Sequence, residues 1–357
     1  MDKIINNKAL DHKCPSCMAP IFFKPKIGKW ECDYCGSSYT LEELQKFNNA
    51  SSEEANDIKE ADDTIYDHYK CQNCGAEIIA DENTASTFCL YCGNTAILKS
   101  KLSGKFAPTK VIPFKNIKED AKAAFKNLKK GRPLLPKEFI SEKNIEKITG
   151  LYIPFWLYNF YVDGEISGTA KKIKSWTSGD RHYTKTDTYK VARAGNMEFK
   201  LIPVDGSKRF DDNMMNTIEP FNYNELEDYN HAYLSGFLAE KYDFEHEEAV
   251  KIASKRALNS AYDEMKSSIK GYSVVSAHNN TLKSQEQNHE YALLPVWMVN
   301  VKYKNKYYLF AMNGQTGKFI GNMPISMGKV LLFSIIIFII SSLLFIVGSY
   351  VFYMIGA

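Results

Sequence analysis

The sequence carries little net charge, and no arginine precedes Arg132. Its 357 residues carry 45 Lys plus Arg against 42 Asp plus Glu, a formal net charge of +3. This near balance predicts neither strong attraction to nucleic acid nor an acidic solvating role. A hydrophobic content of 45% excludes a disordered tail or a mini-protein, and the length predicts two or three units rather than one.

The small net charge hides an uneven distribution. Residues 1–100 contain 10 Lys, no Arg and 16 Asp plus Glu, a net charge of −6, whereas the remainder carries +9. Such an asymmetry predicts separate modules with different roles, or modules that attract each other.

Charged side chains are also missing near the C-terminal end. Val330 to Met354 is a run of 25 residues without a charge, which reaches about 37 Å as a helix and is long enough to span a hydrocarbon core. We therefore predict one transmembrane helix over residues 328–356. Lys318 and Lys329 precede the uncharged run and no Lys or Arg follows it. The positive-inside rule then places the bulk of the chain in the cytoplasm.

The N-terminal residues lack the apolar region of a secretory signal. Together with the C-terminal segment, this predicts a tail-anchored, single-pass protein of the cell membrane that faces the cytoplasm.

No cysteine is left over from a repeated pattern. Each of two sets has the form Cys-x2-Cys, fourteen residues, Cys-x2-Cys, and two such knuckles joined by a hairpin bring four thiolates to a tetrahedral Zn²⁺. We predict two zinc ribbons, over residues 1–40 and 69–100, with two structural Zn²⁺ ions. Disulfides are disfavoured in a reducing cytoplasm, and an iron-bound, rubredoxin-like site is the chemical alternative. The predicted metal ligands are Cys14, Cys17, Cys32 and Cys35 in the first ribbon and Cys71, Cys74, Cys89 and Cys92 in the second.

Residues 41–68, between the ribbons, are acidic and polar, and they predict a solvated linker or a short helix that leaves the ribbons separately mobile. The negative charge of the ribbon region disfavours nucleic-acid binding, since four thiolates around one dication add about −2 at each centre. The first ribbon alone is locally basic, through Lys13, Lys24, Lys26 and Lys29, and the aromatic residues Phe22, Phe23 and Trp30 are interleaved with or adjacent to these lysines.

Residues 101–325 contain an internal echo. The segment Ile153 to Asn159, IPFWLYN, recurs as Leu294 to Asn300, LPVWMVN, at an offset of 141 residues. A predicted helix precedes each copy, over residues 117–129 and 247–269, and strands with tight turns follow, among them 165–176 and 183–192. The pattern predicts an α+β body of two duplicated helix-plus-antiparallel-strand halves, about 105–205 and 240–322. Trp156 and Trp297 are predicted to be core anchors.

Motifs for catalysis are missing from this body. The sequence has no phosphate-binding Gly-Lys-Ser/Thr loop, no G-x-S-x-G elbow and no His-Glu-x-x-His helix. His231, His246, His278 and His289 are scattered without ligand spacing. An acidic stretch that includes Asp205, Asp211, Asp212 and Glu219 is typical of a solvated loop, although a divalent-cation site for a metal-dependent hydrolase is a weaker alternative. The prediction is a protein that is not an enzyme.

In its cysteine knuckles and in several segments of the body, the chain resembles a family of bacterial membrane proteins described as transcription factor IIB-type zinc-ribbon proteins. Some members of this family carry a replication-restart-helicase-like label. The helicase label reflects only the similarity of the zinc ribbons. The resemblance implies no catalytic residues, and it implies a membrane anchor for flotillin-like or phage-shock-type proteins in envelope stress. It rests on the four Cys-x2-Cys knuckles and on the segments 151–156, 202–207, 218–221, 293–297 and 310–318.

The resulting functional hypothesis is an adaptor, held by membrane lipid at the inner face, that recruits partner proteins. The alternative is a membrane-tethered nucleic-acid-binding protein that uses the first ribbon, and the weaker alternative is the hydrolase.

Overall fold

The computed structural model describes residues 7–8, 12–50, 66–71, 77–81, 84–88, 95–98, 102, 106–141, 145, 148–210, 212–304 and 306–356. Three predicted zinc ligands of the second ribbon, Cys74, Cys89 and Cys92, lie outside these residues, as does Asp211.

The first cysteine set belongs to a small three-stranded antiparallel sheet. The chain begins with β1 (Asn7–Lys8), and the sheet consists of β2 (Phe22–Lys24), β3 (Lys29–Glu31) and β4 (Ser38–Tyr39). Phe23 and Trp30 are directly opposite on β2 and β3 and both are buried, with ring centroids 4.9 Å apart. One face of this sheet is therefore apolar, and three short strands cannot bury that face by themselves.

The predicted linker starts as a helix, α1 (Leu41–Ala50). Thr40 and Glu43 form a capping box, in which the Glu43 carboxylate accepts from the Thr40 N–H at 2.8 Å and the Thr40 hydroxyl accepts from the Glu43 N–H at 3.3 Å. Leu44 is buried. The structure thus supports the short-helix alternative for the beginning of the segment.

Four further strands follow, in the region of the second cysteine set. They are β5 (Tyr66–Lys70), β6 (Glu77–Asp81), β7 (Thr84–Phe88) and β8 (Thr95–Ile97). β5 pairs with β6 and with β1, whereas β7 and β8 form one edge of the large body sheet.

The body is built on an eleven-stranded sheet that includes β7 and β8. Its other nine strands are β9 (Lys110–Val111), β10 (Thr149–Ser178), β11 (Arg181–Asp205), β12 (Glu227–Asp228), β13 (Leu238–Glu240), β14 (Val274–Asn280), β15 (Lys283–Tyr303), β16 (Lys306–Asn313) and β17 (Phe319–Gly321). The main path of the sheet runs β12-β9-β15-β10-β13-β7-β8. The helices of the body are α2 (Lys118–Asn127), α3 (Asp212–Ile218) and α4 (His246–Ser267), with short 3₁₀ turns at Lys137–Ile140, Tyr223–Glu225 and His231–Leu234.

The apolar run in β10 is continuous because helices cover both faces of the sheet. The even-numbered residues Tyr152, Trp156 and Tyr158 lie in the same buried cluster as the alanines of α4, whereas the odd-numbered residues lie with Met215 and Ile218 of α3. A strand buried on both faces has no polar alternation. The alanines Ala249, Ala253, Ala257 and Ala261 recur every four residues and are fully buried, so they let α4 approach the sheet closely.

The two echo segments pair with each other, antiparallel, in the centre of this sheet. Ile153 is opposite Leu294, its counterpart at the 141-residue offset. Short strands add to each in parallel, β13 beside Leu151 of β10 and β9 beside Ala292 of β15. The contacts that follow also recur: Gly206 N donates to Pro154 O at 2.9 Å and Gly314 N to Pro295 O at 2.8 Å, while Trp156 Nε1 donates to Phe244 O at 2.8 Å and Trp297 Nε1 to Asn116 O at 3.0 Å.

The two predicted strands 165–176 and 183–192 are parts of much longer strands, β10 and β11, which pair as far as Ser178 opposite Arg181. The outer end of this hairpin is exposed, and Trp176 stacks on Tyr183 there with centroids 5.6 Å apart. Trp156 and Trp297 are buried, as predicted for core anchors.

The last helix, α5 (Met327–Gly356), carries a stretch of 25 residues, Met327–Val351, none of which is buried, and an 18-residue window within it has a mean hydropathy of 3.1. It is long and apolar enough to cross a membrane. Its first turn is attached to the body, since Ser326 N donates to Leu134 O at 2.9 Å and Lys329 Nζ to Leu135 O at 2.6 Å. The mixed α+β class with large sheets and one C-terminal apolar helix is confirmed.

Candidate metal centre

The first four cysteines converge, as predicted. Cys14 and Cys17 precede β2, whereas Cys32 and Cys35 lie between β3 and β4, and one ligand atom from each lies within 4.8 Å of all the others. The Cys14 and Cys35 sulfurs are 3.6 Å apart, and the Cys17 and Cys32 sulfurs 3.5 Å apart. A tetrahedral ion with metal–sulfur bonds of about 2.3 Å needs sulfurs about 3.8 Å apart. The spacing therefore fits one metal ion.

The backbone repeats the same turn at both knuckles. Met18 N donates to Cys14 O at 2.9 Å, and Gly36 N donates to Cys32 O at 2.8 Å. Both donors lie in the left-handed region, with φ of 61° at Met18 and 74° at Gly36. Glycine adopts this conformation at no steric cost, whereas methionine does not. Because a methionine also adopts the left-handed conformation at the first knuckle, this conformation is required by the knuckle turn itself and does not arise merely because glycine permits it.

The polar groups around Cys35 favour its thiolate form. Hydrogen bonds from the side chain and the backbone of Ser37 lower the pKa of Cys35 to about 6. Tyr39 approaches the Cys14 sulfur at 3.8 Å. Four clustered thiolates need a cation to offset their mutual repulsion, so the site could hold a metal ion.

The apolar face of this small sheet is docked on the body. Trp30 Nε1 donates to Ala232 O at 2.8 Å, and Phe23 N donates to Ser235 O at 3.1 Å. Both rings contact Tyr233, with centroids 5.2 Å from Trp30 and 5.5 Å from Phe23. The first cysteine module is therefore held on the body, contrary to the prediction of separately mobile ribbons.

Docking on the body and ion pairing involve four of the seven side chains that favoured nucleic-acid binding. Two of the three aromatic residues, Phe23 and Trp30, are buried against the body. Lys24 pairs with Asp33 at 2.6 Å and Lys26 with Asp120 at 3.5 Å.

Of the second cysteine set, the described residues contain only Cys71, which is buried after β5. Cys74, Cys89 and Cys92 were predicted as its co-ligands and lie outside the described residues.

The acidic residues of the weaker hydrolase hypothesis have structural partners. Asp205 Oδ1 accepts from Ser207 N at 3.0 Å, and Glu219 pairs with Arg256 at 3.3 Å. Burial raises the pKa of Glu219, against the opposing effect of Arg256. Neither residue belongs to a group with ligand geometry among the described residues.

One cluster could not be predicted from the sequence. His246, Glu286 and His289 have no ligand spacing along the chain, yet they bring three ligand atoms within 4.8 Å of one another. His246 is 40 residues from Glu286 in the chain, and the spacing of Glu286 and His289 on a regular strand predicts opposite faces, so no local pattern signals the cluster.

Comparison with known proteins found a relative over almost the whole chain. The chain is 37% identical over 321 residues to the "Uncharacterized protein YdjG" of Bacillus subtilis (strain 168), a match that covers 90% of this chain and 92% of that protein. No protein-family model matches, and no solved structure matches.

Proposed function

The chain belongs to the same family as YdjG of Bacillus subtilis, and we propose that it is a membrane-anchored, zinc-stabilised adaptor that recruits partner proteins to the membrane surface. The observation that carries this proposal is the exposed apolar helix α5, none of whose membrane-length stretch is buried, and whose start is hydrogen-bonded to a folded body.

The hydrogen bonds between the start of α5 and the body support the anchoring role. Lys329, in the first turn of α5, binds Leu135 O, and Ser326 binds Leu134 O. The residues around Leu134 therefore lie next to the membrane interface, and the body is held there rather than on a flexible stalk. Confinement raises the effective concentration of a second contact, so weak docking surfaces suffice for recruitment.

The proposed orientation places the body in the cytoplasm, with the single span in the cell membrane and a tail anchor at the end. The positive-inside rule supports it through Lys318 and Lys329. A reducing cytoplasm is also the compartment in which clustered thiolates persist as metal ligands.

The proposed metals are two structural Zn²⁺ ions, one in each cysteine set. In the first set, all four positions of a tetrahedral ion would be filled by thiolates, which leaves none for a substrate or water. We assign this zinc a stabilising role: it would hold the small sheet in the shape that docks on Tyr233.

We also propose that the two halves of the body arose by duplication. The paired echo segments and the recurring hydrogen bonds of Trp156 and Trp297 support this. The resemblance to zinc-ribbon membrane proteins suggests flotillin-like or phage-shock-type partners.

A membrane-recruitment assay tests the adaptor. Membrane fractions are compared by quantitative mass spectrometry from cells with the full chain, with a chain ending at residue 326, and with no chain. The adaptor predicts that at least one otherwise soluble protein is enriched in membranes only with the full chain. If no protein changes its distribution, the adaptor proposal is wrong. Submicromolar DNA binding with a steep salt dependence would instead favour the nucleic-acid alternative.

A further inference from the structure

Two histidines and a glutamate meet on the body, away from the cysteines. His246 is the first residue of α4, whereas Glu286 and His289 lie on β15. The Glu286 carboxylate approaches both imidazoles, with Oε1 2.8 Å from His289 Nδ1 and Oε2 3.8 Å from His246 Nε2. The imidazoles are stacked, with centroids 4.0 Å apart.

A bulge in β15 makes this arrangement possible. Residues three apart on a regular strand point to opposite faces. Across β10, however, Asn159 is opposite Asn288 while the next residue, Phe160, is opposite Glu286, so Gln287 is the extra residue. The bulge brings Glu286 and His289 to the same face, the one that carries Tyr158 and faces α4.

Asn159 holds the bulged region in place. Its Nδ2 donates to Asn288 Oδ1 at 2.6 Å, and its Oδ1 accepts from Leu201 N at 2.7 Å. The second contact is at the irregularity on the other side of β10, where Leu201 has a φ of 55°. Two distorted strands are thus tied by one side chain, which positions the cluster.

Tyr158 orients the first imidazole. Its hydroxyl lies 3.4 Å from the His246 carbonyl oxygen and 3.2 Å from His246 Nδ1. Because the hydroxyl has one proton, donation to the carbonyl leaves it to accept from Nδ1–H. The lone pair of His246 then resides on Nε2, which faces Glu286. Metal-ligating histidines are commonly oriented in this way by a hydrogen bond from the other ring nitrogen.

In this arrangement the His289 Nδ1–H donates to the Glu286 carboxylate at 2.8 Å. A metal ion would take the place of that proton, and the three side chains would then direct electron pairs at one small volume. Two neutral imidazoles and a carboxylate are the donor set of zinc sites that keep an open position, and they suit first-row transition metals better than Mg²⁺. The side chains of His246, Glu286 and His289 are 28%, 26% and 38% exposed, so an ion could enter and leave from solvent.

We propose that His246, Glu286 and His289 form an exchangeable binding site for a divalent first-row transition-metal ion, with Zn²⁺ as the reference ion. The ion would link the start of α4 to β15 and keep one coordination position for solvent or a ligand. It would be a different centre from the four-thiolate site, which has no such position.

The test is a Zn²⁺ titration of the full chain in detergent against a competing chelator, for the wild type and for Glu286→Gln, His246→Gln and His289→Gln. His278→Gln is the matched control, because this exposed histidine contacts Thr169 and not the cluster. The wild type and the control should bind one more equivalent of Zn²⁺ than each cluster variant. Because the test compares the number of bound Zn²⁺ ions between variants, the expected difference does not depend on whether the cysteine sites are filled. Failure of the adaptor proposal would also leave it unchanged.

A second measurement guards against variants that merely fold badly. Once the cysteine sites are saturated, further Zn²⁺ should raise the melting temperature of the wild type and of His278→Gln but not of Glu286→Gln, and Mg²⁺ should raise none of them. Equal Zn²⁺ uptake by wild type and Glu286→Gln, or an equal thermal shift with Mg²⁺, would overturn the proposal.

Discussion

The indole nitrogen of Trp30 donates a hydrogen bond of 2.8 Å to the carbonyl oxygen of Ala232, 202 residues away in the chain. This contact connects the cysteine module to the 3₁₀ turn of the body, and Trp30 is 1% exposed. It shows that the module's apolar face is completed by the body rather than by the module's own sheet.

Trp30→Ala should detach the module. Large-to-small substitution of a buried tryptophan costs about 3–5 kcal/mol, which exceeds what the small sheet can contribute alone. Limited proteolysis should release fragments from residues 12–50 more rapidly than in the wild type. The matched control is Trp176→Ala, since Trp176 is 49% exposed and its loss should leave the cleavage rate unchanged. Equal rates for both variants would contradict the docking.

Metal removal should have the same effect without a mutation. Sites of this type couple metal binding to folding, because the ligands are assembled only in the folded state. Chelation should therefore expose the segment around Trp30 while β10 and β15 stay protected from hydrogen exchange. Readdition of Zn²⁺ should restore protection. Unchanged exchange at β2 and β3 after complete metal loss would show that the module does not need an ion.

The two echo tryptophans should respond alike to substitution. Trp156→Phe and Trp297→Phe each leave one carbonyl oxygen, of Phe244 or Asn116, without its indole donor. An unsatisfied buried group costs about 1–3 kcal/mol. Urea unfolding should show a similar loss for each variant, against a change within about 0.5 kcal/mol for the exposed Trp176→Phe. A loss confined to one of the two would argue against equivalent halves.

Gly168 allows β14 to approach β10. A Cβ at this position would lie 2.1 Å from the Ser276 carbonyl oxygen, and backbone cannot move aside as a side chain can. Gly168→Ala should therefore destabilise the protein by about 1–3 kcal/mol and accelerate hydrogen exchange in β14. Gly195→Ala is the control, because a Cβ there has no neighbour within 4 Å. Similar effects of the two substitutions would exclude this steric reason.

A charge in the middle of α5 tests the membrane span. Ile339→Arg should weaken insertion by about 2.5–3.5 kcal/mol and increase the fraction that alkaline carbonate extracts from membranes. Ser341→Ala, which removes only a hydrogen bond to Ile337 O within the helix, should have no effect. If wild type and Ile339→Arg are extracted equally, α5 does not span the bilayer.

Local patterns predicted the helices well and the strands less well. The predicted helices 117–129 and 247–269 correspond to α2 and α4 within two residues at each end, because a helical face is visible in a short window. The strands 165–176 and 183–192 were predicted as separate short elements. They are the outer parts of β10 and β11, whose length depends on partners distant in the chain.

Three features can be read from the amino-acid sequence, since each is a pattern of residue types at short or repeated intervals: the cysteine spacing, the apolar terminal helix and the echo around Trp156 and Trp297. The folded chain is needed to see that the aromatic face of the first module is buried on Tyr233, and that His246 lies beside Glu286 and His289. Both depend on contacts between distant segments, and the second also depends on a bulge that reverses the expected face of a strand.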